Sequence, residues 1–151
     1  MTDITVTTIP AMTILALRGL VPTYAEQSQL WDTFVPLAQR CDLPLRPETG
    51  GSTFFDEGYQ DNDVDVEAWV AIGEPITVQA PLTCRRIPEY RAAVATMRGD
   101  YSGIAAASAD LARYLTRAGL VKTGPLSHVY VVGREHTPNS ADYVTDIRVP
   151  I

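Results

Sequence analysis

Glu67 stands in the run VDVEAWVAI (Val64 to Ile72) and Asp146 in the run YVTDIRVPI (Tyr143 to Ile151). These two carboxylates, each in mid-run among apolar neighbours and close to aromatic rings, are the strongest chemical signal in the sequence. Side chains of an extended strand alternate between its faces. Asp65, Glu67 and Trp69 therefore share one face against Val66, Ala68 and Val70, while Val144, Asp146 and Arg148 share a face of the second run. A carboxylate in mid-strand is costly to bury unless it is paired or given a cation. One arrangement meets that cost with solvent, or with a partner such as Arg148 for Asp146. The other turns Glu67 and Asp146 toward a groove, where acid and aromatic rings make a site for organic cations.

The rest of the catalytic inventory is thin. The sequence has no GxSxG elbow, Walker loop, GxGxxG or HExxH, and Gly50-Gly51 lacks the flanking Lys or helix start of a phosphate cradle. His128 lies in the β-type run SHVYVV, where a lone histidine reads first as a surface or satisfied structural residue, and His136 belongs to a turn. Cys41 and Cys84 are far apart with no Cys or His at ligand spacing, so the sequence implies no metal site, no cofactor and no disulfide framework, and a reduced, cytoplasmic setting fits.

The elements that would position the two acids follow from periodicity. Ile4 to Leu17 reads as one extended strand closed by Arg18-Gly19. Thr23 with Glu26 forms a capping box for a helix over Thr23 to Arg40, with Leu30, Trp31, Phe34, Leu37 and Ala38 on one face. Pro36 predicts a kink or break near Thr33 to Val35. Pro44 to Gly51 is a turn-rich loop, and Ser52 to Phe55 and Val64 to Ile72 are strands of a hairpin around the acidic segment Asp56 to Asp63. From Ile87 the order repeats. Arg91 to Met97 is a strand closed by Arg98-Gly99, and a helix over Ser102 to Ala118 has Ile104, Ala107, Leu111, Leu115 and Ala118 along one face, with Gly119 as a left-handed cap. Ser127 to Val132 and Tyr143 to Ile151 are the remaining strands.

The halves match in more than order. Ile9-Pro10 falls on Ile87-Pro88, Arg18-Gly19 on Arg98-Gly99, and the two runs that carry the acids align without a gap, placing Glu67 on Asp146. The pattern predicts a single α+β domain over residues 1–151, made of pseudo-twofold duplicated βαββ units (about 5–72 and 85–151) with an antiparallel sheet, two long helices and a groove between the halves. Length and composition agree: 151 residues, 46% hydrophobic and 20% charged, suit one globular domain. Eighteen acidic against twelve basic residues give a net charge of -6. That balance disfavours a nucleic-acid partner. Ile4 to Leu17 carries no charge but is broken by Thr and Pro10 and follows Asp3, so it reads neither as a signal peptide nor as a membrane span.

The segment RRIPEYRAAVATMRGDYSGI, the long helix after it, GLVKTGPLSHVYVV and the closing YVTDIRVPI resemble the GyrI-like effector-binding domain, which is also the drug-binding half of some MerR-type and AraC-type bacterial regulators. The resemblance runs from about Thr5 to Ile151 and is most specific in the closing motif. It implies two βαββ units around a central pocket that takes lipophilic cations. Position by position, the pocket acid falls on Asp146, where the family usually has Glu, the tyrosine of the penultimate strand on Tyr130, and the tyrosine after the Arg-Gly turn on Tyr101. Trp69 departs from the usual aliphatic run after DVE. The expected ligand-binding residues are thus Asp146, Glu67, Trp69, Tyr130, Tyr101 and Phe55, and the expected function is a cytoplasmic binding protein that senses or sequesters aromatic, often cationic, xenobiotics. An alternative is a hydrolase of cyclopropane-bearing electrophiles with Glu67 and Asp146 as catalytic residues, Glu67 carrying the proton. A distant third is inhibition of DNA gyrase. With no residues ahead of the domain for a helix-turn-helix, the resemblance is to a stand-alone member, with no nucleic-acid or membrane partner.

Overall fold

Proline lacks the N–H that a strand ladder needs, and Pro10 divides the first extended run into β1 (Asp3–Ile9) and β2 (Met12–Val21) rather than leaving one strand. A computed structural model of the chain describes residues 3–41, 49–56, 61–134 and 136–151. Along these residues follow α1 (Ser28–Arg40), β3 (Gly50–Phe54), β4 (Val64–Ile72), β5 (Leu82–Ile87), β6 (Tyr90–Arg98), α2 (Ile104–Ala118), β7 (Leu126–Val132) and β8 (Val144–Pro150). The architecture is α+β, with antiparallel strand pairs and two long helices, as expected. Most of the loop expected over Pro44 to Gly51, and part of the tip expected over Asp56 to Asp63, lie outside the described residues.

The chain forms two compact units. The first takes Ala11–Pro88; the second takes the chain up to Pro10 and again from Glu89 to Ile151. In the first unit β3 pairs with β4, β4 with β2, and β2 with β5. In the second the same order recurs as β7, β8, β6 and β1. The matched dipeptides Ile9-Pro10 and Ile87-Pro88 thus end β1 and β5, and both stand at unit boundaries. The Arg-Gly match is different. Arg18 lies in mid-strand opposite Glu67, whereas the residue opposite Asp146 is Thr96, two places ahead of Arg98. That dipeptide match is out of register with the strands.

Each helix covers one face of its own sheet. In the first unit Phe34 and Ala38 of α1 pack on Leu15 and Leu17 of β2, Ala68 of β4 and Leu82 of β5. In the second, Ala107 and Leu111 of α2 pack on Ala93, Ala95 and Met97 of β6 and on Ile147 and Val149 of β8. Burying a side chain such as Phe34 or Leu111 contributes about 1.5–3 kcal/mol. Anchored this way, α1 runs unbroken through Pro36, contrary to the break the proline predicts. A proline removes only one intrahelical hydrogen bond, and the buried residues Phe34 and Ala38 flank the position.

Both helices are entered through a 3-10 turn, Tyr24–Glu26 and Tyr101–Gly103. Thr23 does not cap the first through its side chain; its hydroxyl donates to the Glu26 carboxylate instead, at 3.3 Å. The second is capped by Asp100, whose carboxylate accepts from Ser102 N–H at 2.7 Å. Gly119 takes the left-handed conformation expected of it, with φ 68°. The strand β3 is held from both faces by indoles: Trp31 of α1 donates Nε1–H to Ser52 Oγ and Trp69 of β4 donates to Thr53 Oγ1, each at 3.0 Å.

Candidate functional site

Strand pairing decides which side chains share a face, because directly opposed residues point the same way. In the first unit Thr53, Glu67 and Arg18 stand across from one another on β3, β4 and β2, on the face away from α1. Glu67 is 2% exposed. From β5, Arg85 grips it with both guanidinium nitrogens, at 2.5 Å to Oε1 and 3.2 Å to Oε2. Burial holds the Glu67 carboxyl above the ordinary range, and the charges of Arg85 and Arg18 pull against that rise without cancelling it.

Arg18 forms a second fork on the same face, to Asp65 at 2.9 and 2.7 Å, and this hydrogen bond holds the Asp65 carboxyl below the usual range. Its guanidinium lies 3.8 Å from the centre of the Phe55 ring, in cation–π contact. The structure therefore gathers Glu67, Trp69 and Phe55 on one side of the first unit's sheet, where their respective partners are Arg85, Thr53 and Arg18. No spacing in the sequence ties Arg85 to Glu67. Only the pairing of β2 with both β4 and β5 brings them together.

In the second unit Asp146 stands opposite Thr96 on β6 and Val129 on β7, on the face away from α2. Thr96 Oγ1 donates to Asp146 Oδ1 at 2.8 Å. Asp146 is half-buried, and among the described residues it enters no ion pair. Arg148, two residues on, shares its face but does not pair with it. The Arg148 Nε is shielded from water and has no hydrogen-bond partner among the described residues.

The tyrosines go elsewhere. Tyr130 is opposite Thr145, one step out of phase with Asp146, and so belongs to the face that α2 covers. There Tyr101 stacks on Tyr143 with ring centres 4.9 Å apart and meets Tyr130 at 5.6 Å. Tyr101 is 36% exposed and its hydroxyl lies close to Gly133. The six expected site residues thus fall into three places: Glu67, Trp69 and Phe55 in the first unit, and Asp146 and the Tyr101–Tyr130 pair on opposite faces of the second unit's sheet. His128 follows Tyr130's face, opposite Ile147, and burial pushes its pKa down to about 4, so its ring is neutral at pH 7.

Among the described residues no group of three or more His, Cys, Asp or Glu side chains is placed to hold a metal ion, and no helix is long and apolar enough to cross a membrane. Sequence reasoning missed Arg85, Arg18 and Thr96 as partners of the acids, since each is set by register alone.

Residues 2–151 match the family described as GyrI-like small molecule binding domain. A search of curated proteins returns no match. Among solved structures, the crystal structure of the EcmrR C-terminal domain superposes with a TM-score of 0.89 at 21% identity, over 99% of this chain and 96% of that one. The EcmrR chain in a cryo-EM complex with DNA superposes at 0.88 and 21% identity, with 99% of this chain covering 57% of that longer one. SAV2435 bound to tetraphenylphosphonium superposes at 0.64 and 15% identity, over 98% of this chain and 93% of that one. At these identities the likeness establishes the fold.

Proposed function

The chain belongs to the GyrI-like small-molecule-binding family, and from that premise we propose that it binds lipophilic organic cations, with Asp146 as the charge that receives them, and so sequesters or senses xenobiotics in the cytoplasm. The observation that carries this reading is the state of Asp146: a half-buried carboxylate whose hydrogen bond comes from the neutral hydroxyl of Thr96 and which has no ion pair among the described residues. A unit cation brought to about 4 Å of such a group gains on the order of 4 kcal/mol at an effective dielectric constant near 20, of which the desolvation of the two charges leaves about 1.4 kcal/mol net. Apolar burial at about 25 cal/mol per Å² supplies the remainder of a micromolar affinity, which corresponds to about 8 kcal/mol. Glu67, the counterpart acid, is already neutralised by Arg85 and offers no such gain. The bound tetraphenylphosphonium of the SAV2435 relative is a cation of this class.

Isothermal titration of the wild-type protein and of Asp146→Asn with tetraphenylphosphonium, and with neutral triphenylphosphine oxide as comparator, tests the proposal. The substitution keeps the shape and removes the charge. The expected result is about a tenfold loss of affinity for the cation, equivalent to 1.4 kcal/mol, with the neutral compound little changed. Equal losses for both compounds, or no binding of the cation by wild type, would refute the assignment.

A further inference from the structure

Asp146 and Arg148 are two residues apart on β8 and project from the same face, about 7 Å apart along the strand. Opposite charges so placed can meet as a salt bridge, yet these two do not. Asp146 is turned to Thr96. Arg148 stands between Val94 of β6 and Ser127 of β7, with its Nε shielded from water and donating to nothing. A guanidinium keeps its charge at any physiological pH and carries five donors in a planar fork suited to an oxyanion. A shielded N–H without an acceptor destabilises the fold that holds it. The equivalent place in the first unit, by the alignment of the two runs, holds Trp69, whose N–H is satisfied by Thr53. The second unit therefore carries a partly exposed guanidinium with one unsatisfied N–H where the first carries a satisfied ring.

We infer that Asp146 and Arg148 form a two-point recognition pair for lipophilic zwitterions, Asp146 taking the cationic centre and Arg148 a carboxylate or comparable oxyanion about 6–7 Å away, the spacing of same-face residues on a strand. The inference rests on the reading of Asp146 given above and narrows its ligand class. A ligand with a cation alone comes to Asp146 against the repulsion of Arg148. A ligand that also brings an anion removes that repulsion and gives the terminal N–H groups of Arg148 a charged acceptor.

The test compares (4-carboxybutyl)triphenylphosphonium with its methyl ester by isothermal titration at pH 7.5. The two share the lipophilic cation and differ in the anion. Wild type is expected to bind the acid about tenfold tighter than the ester, as befits a charge-assisted hydrogen bond. In Arg148→Gln the acid-to-ester ratio should collapse to about one, and in Arg148→Lys, which keeps a point charge but loses the fork, it should fall to an intermediate value. The (2-carboxyethyl) homologue, too short to span the pair, should show less preference in wild type, a comparison that stands even where a variant fails to fold. Equal binding of acid and ester by wild type overturns the inference while leaving the cation site in place. A preference that survives Arg148→Gln overturns it too. Failure of the ester itself to bind wild type overturns the cation site and this pair together.

Discussion

Across from Glu67 on β2 stands Arg18, and a second arginine, Arg85, reaches the same carboxylate from β5; across from the equivalent Asp146 on β6 stands Thr96, a neutral hydroxyl. The first unit spends its arginines on its own acids, Arg85 on Glu67 and Arg18 on Asp65. In the second unit an arginine lies two residues from the acid and leaves it alone. Position on a duplicated strand therefore does not set an acid's role. The partner supplied by the neighbouring strand does. A gripped, buried carboxylate is a structural element, and a half-buried one with a neutral partner remains available.

The hardest blow to this contrast would come from Arg85. Replacing it with Met leaves the buried Glu67 carboxylate without its fork, and should destabilise the protein by about 3 kcal/mol in urea denaturation, at the low end for a buried pair because Arg85 is itself half-exposed. Adding Glu67→Gln should recover most of that loss. Asp146→Asn, by contrast, should cost under about 1 kcal/mol. A harmless Arg85→Met, or an Asp146→Asn that unfolds the protein, would erase the distinction.

Acid titration separates the units in another way. The unfolded chain protonates His128 near pH 6.5, but the folded protein does so only near 4. Unfolding thus takes up a proton in this window, and stability contributed by neutral His128 is lost as pH falls from about 6.5 to 4, by up to about 3 kcal/mol. Glu67 runs the opposite way: its raised pKa favours the folded state as pH falls. His128→Gln should flatten the acid limb of a stability–pH curve, and Glu67→Gln should steepen it. A curve unchanged by His128→Gln would remove the histidine from the account.

The smallest effect belongs to the exposed fork. Arg18→Gln breaks the Arg18–Asp65 pair and the contact with Phe55, and a largely solvated pair of this kind contributes under about 1 kcal/mol. A loss as large as that of Arg85→Met would show that the first unit's network acts as one body and not through its buried member.

How much of this was legible in the sequence follows the range of the interactions. Alternation along one strand is local, and it placed Asp65, Glu67 and Trp69 together and Asp146 with Arg148. The left-handed cap at Gly119 and the buried faces of both helices are local too. The two-strand character of the first run needed only weight on Pro10. What could not be read is register. The grip of Arg85 on Glu67, the phase that sends Tyr130 to the helix side while Asp146 goes to the other, and the mismatch of the Arg-Gly dipeptides are each fixed by strands far apart in sequence.

One feature of the topology bears on how the protein is made. Asp3 of β1 pairs with Thr96 of β6, so β1 leaves the ribosome and waits for a partner about 90 residues downstream. At 5–20 residues per second that is a delay of roughly 5–20 s, during which the first unit, complete once Pro88 has emerged, can fold. Meanwhile β1, a Thr-, Ile- and Val-rich strand with its backbone groups unpaired, is an open edge of the sort that recruits other chains. Nascent chains crowded on one messenger are where this protein is most exposed to misassembly, and slowing translation before β6 should lower the soluble yield.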